Sequence, residues 1–236
     1  MKKASAGGRR GGKGSGSRRP GVRVRTARRR KASSTRWLER QLNDPYVAEA
    51  ERLGFRSRAA FKLIKLDDRF HFLAPGKRVV DLGAAPGGWT LVAAKRVAGA
   101  AGGRVVAVDV TPMEPVAGAT IIERDFLDED APAEIEDALG GPADVVLSDM
   151  APPATGHAAT DHLRIMALCE TALAFAARIL TPGGAFVAKV LQGGTEGALL
   201  AEMKRAFKTV KHAKPPASRP ESAEVYVVAL GFRGGK

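Results

Sequence analysis

An apolar run that passes directly into a glycine-rich turn constrains the fold more than any other feature of this sequence. Residues 79–89 read VVDLGAAPGGW. The first four are typical of a buried strand, and the small residues that follow let the chain reverse and begin a helix. In an open parallel sheet, a ligand binds at such a turn, outside the carboxyl end of the strand. The stretch therefore predicts an α/β sheet with a ligand site above this strand.

The rest of the chain alternates between short apolar runs and helical segments, which predicts a mostly parallel sheet with helices on both faces. Seven strands are predicted, at residues 78–82, 104–109, 120–123, 144–148, 184–189, 209–213 and 224–231. Helices are predicted at residues 87–97, 131–139, 160–180 and 195–207. No helix separates the last two strands, so we expect them to form an antiparallel hairpin at the edge of the sheet.

Three further helices are predicted before the first strand. Ser34 or Thr35, Pro45 and Ser57 are residue types that begin helices. The third of these helices is expected to run until Pro75 and Gly76, which cannot continue it.

The net charge of +13 is concentrated at the start of the chain. Residues 1–36 contain fourteen lysines and arginines and no acid, whereas the rest of the chain contains 24 basic and 25 acidic residues. Residues 1–32 are mostly Gly, Ser, Lys and Arg, which cannot bury a core, so they are predicted to be a disordered leader. Residues 33–236 are then the folded domain. The leader is either a solubility tail or, as we favour, an arm that binds along phosphates.

The composition disfavours several classes of protein. The single cysteine, Cys169, excludes an internal disulfide, and its place on the apolar stripe of a predicted helix is that of a core residue. No stretch approaches 18 apolar residues, so no transmembrane helix is expected. The four histidines lack metal-ligand spacing, so no metal is expected. We expect a monomeric protein of the cytoplasm, although an arginine-rich, acid-free leader is also typical of transit peptides.

The small residues of the turn are not spaced as in the dinucleotide fingerprint G-x-G-x-x-G, which disfavours a nicotinamide-dependent oxidoreductase. Gly83 is followed by Ala85, Gly87 and Gly88, and Pro86 stiffens the loop. This pattern favours a cofactor without phosphate groups.

Two acidic residues follow the next two strands. Asp109 ends the second strand, where an acid binds ribose hydroxyls in related nucleotide folds. Asp125 and Phe126 follow the third strand and suit an adenine, whose amino group donates to a carboxylate and whose ring stacks on an aromatic side chain. Each acid alone could be an ordinary loop residue, but both follow the same glycine turn.

At these residues the chain resembles the ribosomal RNA large subunit methyltransferase E family, the FtsJ-type S-adenosylmethionine-dependent 2′-O-methyltransferases. The resemblance rests on six stretches in order along the chain, at residues 34–38, 56–63, 80–89, 148–152, 186–190 and 224–229. It implies a Rossmann-like methyltransferase fold. It also implies methyl transfer to the 2′-hydroxyl of a ribose, of a uridine in large-subunit ribosomal RNA within the assembled subunit.

The resemblance also implies the site residues. The family's catalytic tetrad of Lys, Asp, Lys and Glu falls on Lys62, Asp149, Lys189 and Glu224. Its contacts to S-adenosylmethionine fall on Gly87, Trp89, Asp109, Asp125 and Asp149. Pro153 stands where many relatives have asparagine, so the loop after Asp149 is expected to differ, and His157, Asp161 and His162 have no assigned role.

These residue types suit the chemistry. A ribose hydroxyl is a poor nucleophile, so an enzyme must align it with the methyl group and remove one proton. Lys189 ends an apolar strand, where a lysine is unusual, and we favour it as the residue that activates the hydroxyl. Lys62 could otherwise be a surface charge, and Glu224 could simply begin an edge strand.

Other cations could bind RNA, either near Lys62 (Arg56, Arg58 and Lys65) or near the end of the chain (Lys204, Arg205, Lys208, Lys211 and Lys214). The second group could equally be a solvated face. The main alternative to an enzyme is a non-catalytic RNA-binding protein on a methyltransferase scaffold, which an intact tetrad disfavours.

Overall fold

A computed structural model describes Thr26 and residues 32–99, 102–153, 155–192 and 197–234. The predicted leader lies outside these residues, apart from Thr26 and Ala32. By compactness the chain divides into two units, Met1–Asp44 and Pro45–Lys236. The described part of the first unit is mainly one helix, α1 (Ala32–Leu42), which begins close to the predicted position.

The second unit contains the sheet and its helices. The helices are α2 (Pro45–Arg52), α3 (Ala59–Phe70), α4 (Gly88–Val97), α5 (Ala131–Leu139), α6 (Ala158–Ile179) and α7 (Gly197–Ala206). The strands are β1 (Arg78–Leu82), β2 (Arg104–Asp109), β3 (Ala119–Glu123), β4 (Ala143–Ser148), β5 (Leu180–Leu191), β6 (Phe207–Ala213) and β7 (Glu224–Phe232). The predicted α/β class and the number of strands are confirmed for the described residues.

The sheet has the order β3-β2-β1-β4-β5-β7-β6. The first five strands in this order pair in parallel, whereas β7 runs antiparallel to both β5 and β6. The expected C-terminal hairpin therefore exists, with the last strand of the chain inserted as its inner member. Because β7 is antiparallel, it begins at the edge of the sheet where the parallel strands end.

Each face of the sheet is buried under helices. One core joins α3 and α4 to alternate strand residues such as Val79, Val105, Val187 and Tyr226. The other joins α5, α6 and α7 to the residues between them, including Val80, Val106, Val146, Phe186 and Val227. Cys169 is buried in the second core, as predicted, and burial, with a contribution from Glu170, raises the pKa of its thiol to about 12.

The third predicted helix was wrong at both ends. It begins after Arg58, and the Ser57 hydroxyl, which was expected to cap it, is buried without a hydrogen-bond partner. It ends at Phe70, because His71 adopts a left-handed conformation with a φ of +54°, and the Asp67 carboxylate then accepts from Leu73 N–H at 2.8 Å. This turn takes the chain out of the helix before Pro75.

Among the described residues, no helix is long and apolar enough to cross a membrane. Within the same residues, His, Cys, Asp and Glu side chains do not gather in groups of three or more that could hold a metal ion.

A buried ion pair joins α3 and α4, which pack in the same core. The Asp67 side chain in α3 is 2% exposed and pairs with Arg96 of α4, which also contacts Asp68 at 2.7 Å. Removing the guanidinium would leave a buried carboxylate short of a donor, and a hydrogen bond to a charged group contributes roughly 1.5–3 kcal/mol.

We therefore expect Arg96→Met to lower the free energy of unfolding by about 1.5–3 kcal/mol, measured by urea denaturation. Arg178→Met is the matched control, because Arg178 pairs with Glu136 where both side chains are about half exposed. Such a surface pair contributes at most about 1 kcal/mol. Equal losses in the two variants would contradict the role given to Asp67.

Candidate active site

The four predicted tetrad residues lie together, although they come from four different elements. Lys62 lies in the middle of α3, Asp149 follows β4, Lys189 is near the end of β5, and Glu224 begins β7. The antiparallel register places Lys189 opposite Tyr226 and Leu191 opposite Glu224. The sheet therefore brings Glu224 to the edge where β4 and β5 end.

Charge pairing links the tetrad in one chain of contacts. Lys62 Nζ donates to Glu224 Oε2 at 2.8 Å, and Lys189 Nζ lies 3.8 Å from Glu224 Oε1. Lys189 Nζ also donates to the Asp149 carbonyl at 2.8 Å and lies 3.0 Å from Asp149 Oδ1. The Lys189 side chain is only 7% exposed, so these oxygens compensate the burial of its amine.

Tyr226 is a site residue that sequence reasoning missed. Its hydroxyl donates to Asp149 Oδ1 at 2.9 Å, and Lys62 Nζ lies 5.6 Å from the centre of its ring. It lies one residue past the Glu-Val pair of the last motif, within a run that reads as a plain apolar strand. A tyrosine hydroxyl in a buried strand needs a hydrogen-bond partner, and this requirement was the signal in the sequence that could have indicated a site residue.

The surroundings of Glu224 and Tyr226 shift their pKa values in opposite directions. Burial alone would raise the pKa of Glu224, but the ammonium groups of Lys189 and Lys62 outweigh it, so the pKa lies below its ordinary value. Burial, together with the negative charges of Asp149 and Glu224, raises the pKa of Tyr226 well above 10. Glu224 therefore stays ionised and Tyr226 stays protonated over the working range of pH.

A cavity of about 600 Å³ opens at the same edge of the sheet, in the size range of ligand sites. Its polar lining includes Asp109, Asp125 and Asp149, and its apolar lining is formed by Val108, Val110, Phe126, Leu127, Met150, Ala151, Pro152, Pro153 and Leu168. Asp149 thus belongs to both the cavity and the tetrad.

The glycine turn forms the floor of this cavity. Gly83 adopts a φ of +75°, and a Cβ atom there would lie 2.8 Å from the backbone of Met150, so no larger residue fits. Asp109 holds the turn from the other side: Oδ2 accepts from Ala85 N–H at 2.9 Å and Oδ1 from Thr111 N–H at 2.8 Å. Asp125 Oδ1 accepts from Leu127 N–H at 2.9 Å.

Known proteins match this chain over most of its length. Residues 55–232 match the family model of the FtsJ-like methyltransferases. The chain belongs to this family. The resemblance that the motifs indicated, and the class of enzyme that they implied, are therefore confirmed.

Two relatives of the same name match nearly the whole chain. A "Ribosomal RNA large subunit methyltransferase E" from Paramagnetospirillum magneticum is 64% identical, over 94% of this chain and 93% of the relative. A protein of the same name from Rhodospirillum rubrum is 62% identical, over 95% of this chain and 86% of the relative. The crystal structure of a ribosomal RNA methyltransferase from Plasmodium falciparum, 27% identical, covers 77% of this chain and all of that chain, with a TM-score of 0.68.

Two of the predicted cofactor residues of this methyltransferase lie outside the cavity lining. The Trp89 side chain is 2% exposed, its indole N–H donates to the Ala59 carbonyl at 2.9 Å, and its ring packs on Tyr226 with centroids 5.5 Å apart. Gly87 precedes α4 with a φ of +100° and faces Arg56. The structure thus brings Asp109, Asp125 and Asp149 together around the cavity, whereas Gly87 and the Trp89 ring are not part of its lining.

Two of the three cations near Lys62 hold the backbone in place, whereas the third, Lys65, is exposed and lies 3.8 Å from Asp68. Arg56 donates to the carbonyls of Glu114 at 2.5 Å, Pro115 at 2.6 Å and Pro86 at 3.3 Å, which joins the glycine turn to the loop after β2. Arg58 donates to the carbonyl of Ala217. These contacts favour a structural role for both arginines over the RNA contact that the sequence suggested.

The cations near the end of the chain divide into two kinds. Lys214 donates to the carbonyls of Pro220 at 3.0 Å and Ser222 at 2.7 Å, and so holds the loop that leads to Glu224. The other members of the group are exposed on the last turn of α7 and on the edge strand β6. Lysines on an edge strand also prevent pairing with other chains, so their position alone does not indicate RNA binding.

Asp81 lies beneath the glycine turn and is fully buried. One of its oxygens accepts from the Thr90 hydroxyl at 2.7 Å, and the other has no partner in the structure. Burial, with a smaller contribution from the charges of Asp149 and Asp109, raises its pKa to about 7, although the Thr90 hydrogen bond opposes the rise. A large fraction of Asp81 is therefore protonated at neutral pH, which limits the negative charge around Asp149.

The raised pKa of Tyr226 predicts how stability depends on alkaline pH. An unfolded tyrosine loses its proton near pH 10, whereas the folded protein retains it, so the free energy of unfolding should fall as the pH rises above about 10. Tyr226→Phe should be less stable at pH 8 by about 1 kcal/mol, because it loses one hydrogen bond. Above pH 10, the free energy of unfolding of this variant should fall less steeply than that of the wild type.

Urea denaturation at pH 8, 9, 10 and 10.5 measures both effects. Tyr46→Phe is the control and should keep the steep dependence of the wild type. Parallel curves for Tyr226→Phe and the wild type would show that the Tyr226 proton is not linked to folding.

Proposed function

We propose that this enzyme transfers a methyl group from S-adenosylmethionine to a ribose 2′-hydroxyl of large-subunit ribosomal RNA. The observation that carries the proposal is the position of Asp149, which lines the cavity and also contacts Lys189. A methyl donor held in the cavity would then lie next to the group that activates the hydroxyl.

The cavity lining fits S-adenosylmethionine. Asp109 and Asp125 are carboxylates that can accept from ribose hydroxyls and from an adenine amino group, and Val110, Phe126 and Leu127 offer apolar surface to a flat ring. Arg124 also lines the cavity, but it pairs with Asp130 at 2.6 Å and Glu134 at 2.7 Å. The lining thus contains three carboxylates and two cations, Arg124 and Arg164, and this excess of negative charge suits a positively charged cofactor without phosphates. When bound, this cofactor supplies an electrophilic methyl group on a sulfonium.

Gly87 and Trp89 remain proposed cofactor contacts. Trp89 would act through its backbone N–H, whereas the Gly87 N–H already donates to the Ala84 carbonyl at 2.7 Å, so Gly87 would act by letting the cofactor approach the turn closely. The first N–H groups of a helix have no intrahelical acceptor, and they carry partial positive charge. α4 begins at Gly88, directly after the turn. The N–H groups of this first turn therefore suit the carboxylate of S-adenosylmethionine, whereas the buried Trp89 ring supports Tyr226.

Lys189 is the proposed acceptor of the hydroxyl proton. Two of its N–H positions point to Asp149, to the carbonyl and to Oδ1. The neutral amine would keep both hydrogen bonds and leave its lone pair for the ribose hydroxyl. Nζ would take the proton of the ribose hydroxyl as its oxygen receives the methyl group, and the methyl donor would leave as a neutral thioether.

Lys62 and Glu224 would position the reacting groups. Glu224 contacts both lysines, so it fixes their separation and prevents two ammonium groups from facing each other unpaired. Lys62 has donors to spare beyond its bond to Glu224, and these can hold the ribose. Alignment of oxygen, methyl carbon and sulfur would be the largest contribution of the protein to the rate.

The names of the relatives support the proposed substrate. Both curated relatives are named for the large-subunit ribosomal RNA. The motifs that resemble this family imply a uridine in the assembled subunit. We propose that the enzyme is a monomer, and such a substrate would place it in the cytoplasm. The alternative, a non-catalytic RNA-binding protein, is disfavoured because the full tetrad is assembled next to the cavity.

Methyl incorporation tests the assignment of Lys189. The full chain, labelled S-adenosylmethionine and large subunits from cells that lack the enzyme are combined, and the modified ribose is mapped. We expect Lys189→Ala to reduce incorporation by at least about 100-fold, the usual contribution of a general base, and to bind the cofactor normally in calorimetry.

Lys95→Ala is the control, because Lys95 is exposed on α4 and lies over the Phe55 ring. It should retain the wild-type rate. Equal rates for Lys189→Ala and the wild type would refute the assignment of Lys189. If the wild-type protein bound RNA but had no affinity for the cofactor, the proposed enzymatic activity would be refuted.

The leader would act as an arm on RNA phosphates. Removal of residues 1–31, which keeps α1 intact, should weaken RNA binding and reduce the slope of log affinity against log salt concentration, because fewer counterions are released. Cofactor affinity should stay unchanged. Filter binding at several salt concentrations measures the slope, and an unchanged slope would refute the arm.

A further inference from the structure

The segment between Asp149 and α6 contributes one wall of the cavity. Met150, Ala151, Pro152 and Pro153 line it, and Thr155, Gly156 and His157 connect this wall to the helix. Asp149 itself is anchored at the other end, where its N–H donates to the Leu82 carbonyl of β1 at 3.0 Å. The position of this wall therefore depends on what holds its far end.

Asp161, in the first turn of α6, holds that far end. Its Oδ1 accepts from Thr155 N–H at 2.8 Å and from the Thr155 hydroxyl at 2.7 Å, and its Oδ2 accepts from Gly156 N–H at 3.3 Å. The Thr155 hydrogen bonds, with a smaller contribution from Gly156 and Arg164, hold the pKa of Asp161 below its ordinary value. The carboxylate therefore stays ionised at neutral pH.

Arg164, one turn further along α6, holds the same segment closer to the cavity. Its Nη1 donates to the Pro153 carbonyl at 3.1 Å, and both residues line the cavity. Proline has no N–H, so its carbonyl is the backbone group that another residue can hold at this position. His157 completes the junction, because its Nδ1 accepts from Thr160 N–H at 3.4 Å and caps the helix.

We propose that Asp161, assisted by Arg164, is a positioning residue for the cofactor: it fixes the wall at 150–153 against the rigid helix α6. The inference rests on the proposed function. Asp161 does not touch the cavity, so it acts through the backbone of Thr155 and Gly156. Release of this segment would loosen the apolar wall, whereas the tetrad would stay anchored by Lys189, Tyr226 and β1.

Cofactor binding by Asp161→Asn tests the proposal, because asparagine keeps the size but lacks the charge and one acceptor. The dissociation constants for S-adenosylmethionine and S-adenosylhomocysteine should rise about tenfold in calorimetry, consistent with the loss of charged hydrogen bonds. At saturating cofactor, kcat should stay within about twofold of the wild type. The amide hydrogens of Thr155 and Gly156 should exchange faster.

Arg164→Gln is the second variant and should weaken binding by a smaller factor, because it removes one hydrogen bond. Asp137→Asn is the matched control, since Asp137 is exposed on α5 away from this segment, and it should behave as the wild type. Thermal melting checks that every variant folds.

Wild-type affinity in Asp161→Asn, with or without faster exchange at Thr155 and Gly156, would overturn the proposal. A fall in kcat of about tenfold at saturating cofactor would also overturn the proposal, because the residue would then position the tetrad rather than the cofactor. These failures differ from failure of the proposed function, in which the wild type itself would bind no S-adenosylmethionine or methylate no RNA.

Discussion

The contact between Asp149 and Lys189 joins the two halves of this site. Asp149 is tied to β1 through its N–H, to β5 through Lys189 and to β7 through the Tyr226 hydroxyl. The same residue lines the cavity. A single residue after β4 would thus set the distance between a cofactor in the cavity and the lysine proposed to take the proton, and contacts from three strands hold that residue.

Charge compensation allows two lysines to be buried together. Each ammonium in a protein interior needs an opposite charge and hydrogen-bond acceptors, or its burial costs several kcal/mol. Glu224 serves both lysines and Asp149 serves one, so the tetrad is neutral as a whole when all four groups are charged. The low pKa of Glu224 is the direct result.

Cationic side chains hold the walls of the site by donating hydrogen bonds to backbone carbonyls. Arg56 binds the loop after β2 to the glycine turn, Arg58 and Lys214 hold the loop before Glu224, and Arg164 holds Pro153. Loops that carry function need such restraints because they lack the hydrogen-bond ladders of helices and strands. Cations near an RNA-modifying site are therefore not all RNA contacts.

The sequence alone determined the α/β class and nearly all strand positions, because apolar periodicity is a local signal. Its motifs also predicted a tetrad of residues, which the structure brings into contact. The end of α3 was not predictable, since it depends on the Asp67 side chain reaching Leu73. The roles of Tyr226, Arg56 and Asp161 were decided only by tertiary structure. Each of these side chains contacts a residue of another element or the backbone of a folded loop, and such contacts between distant parts of the chain leave no local signal. In the same way, β7 reaches Lys189 only because it inserts between β5 and β6.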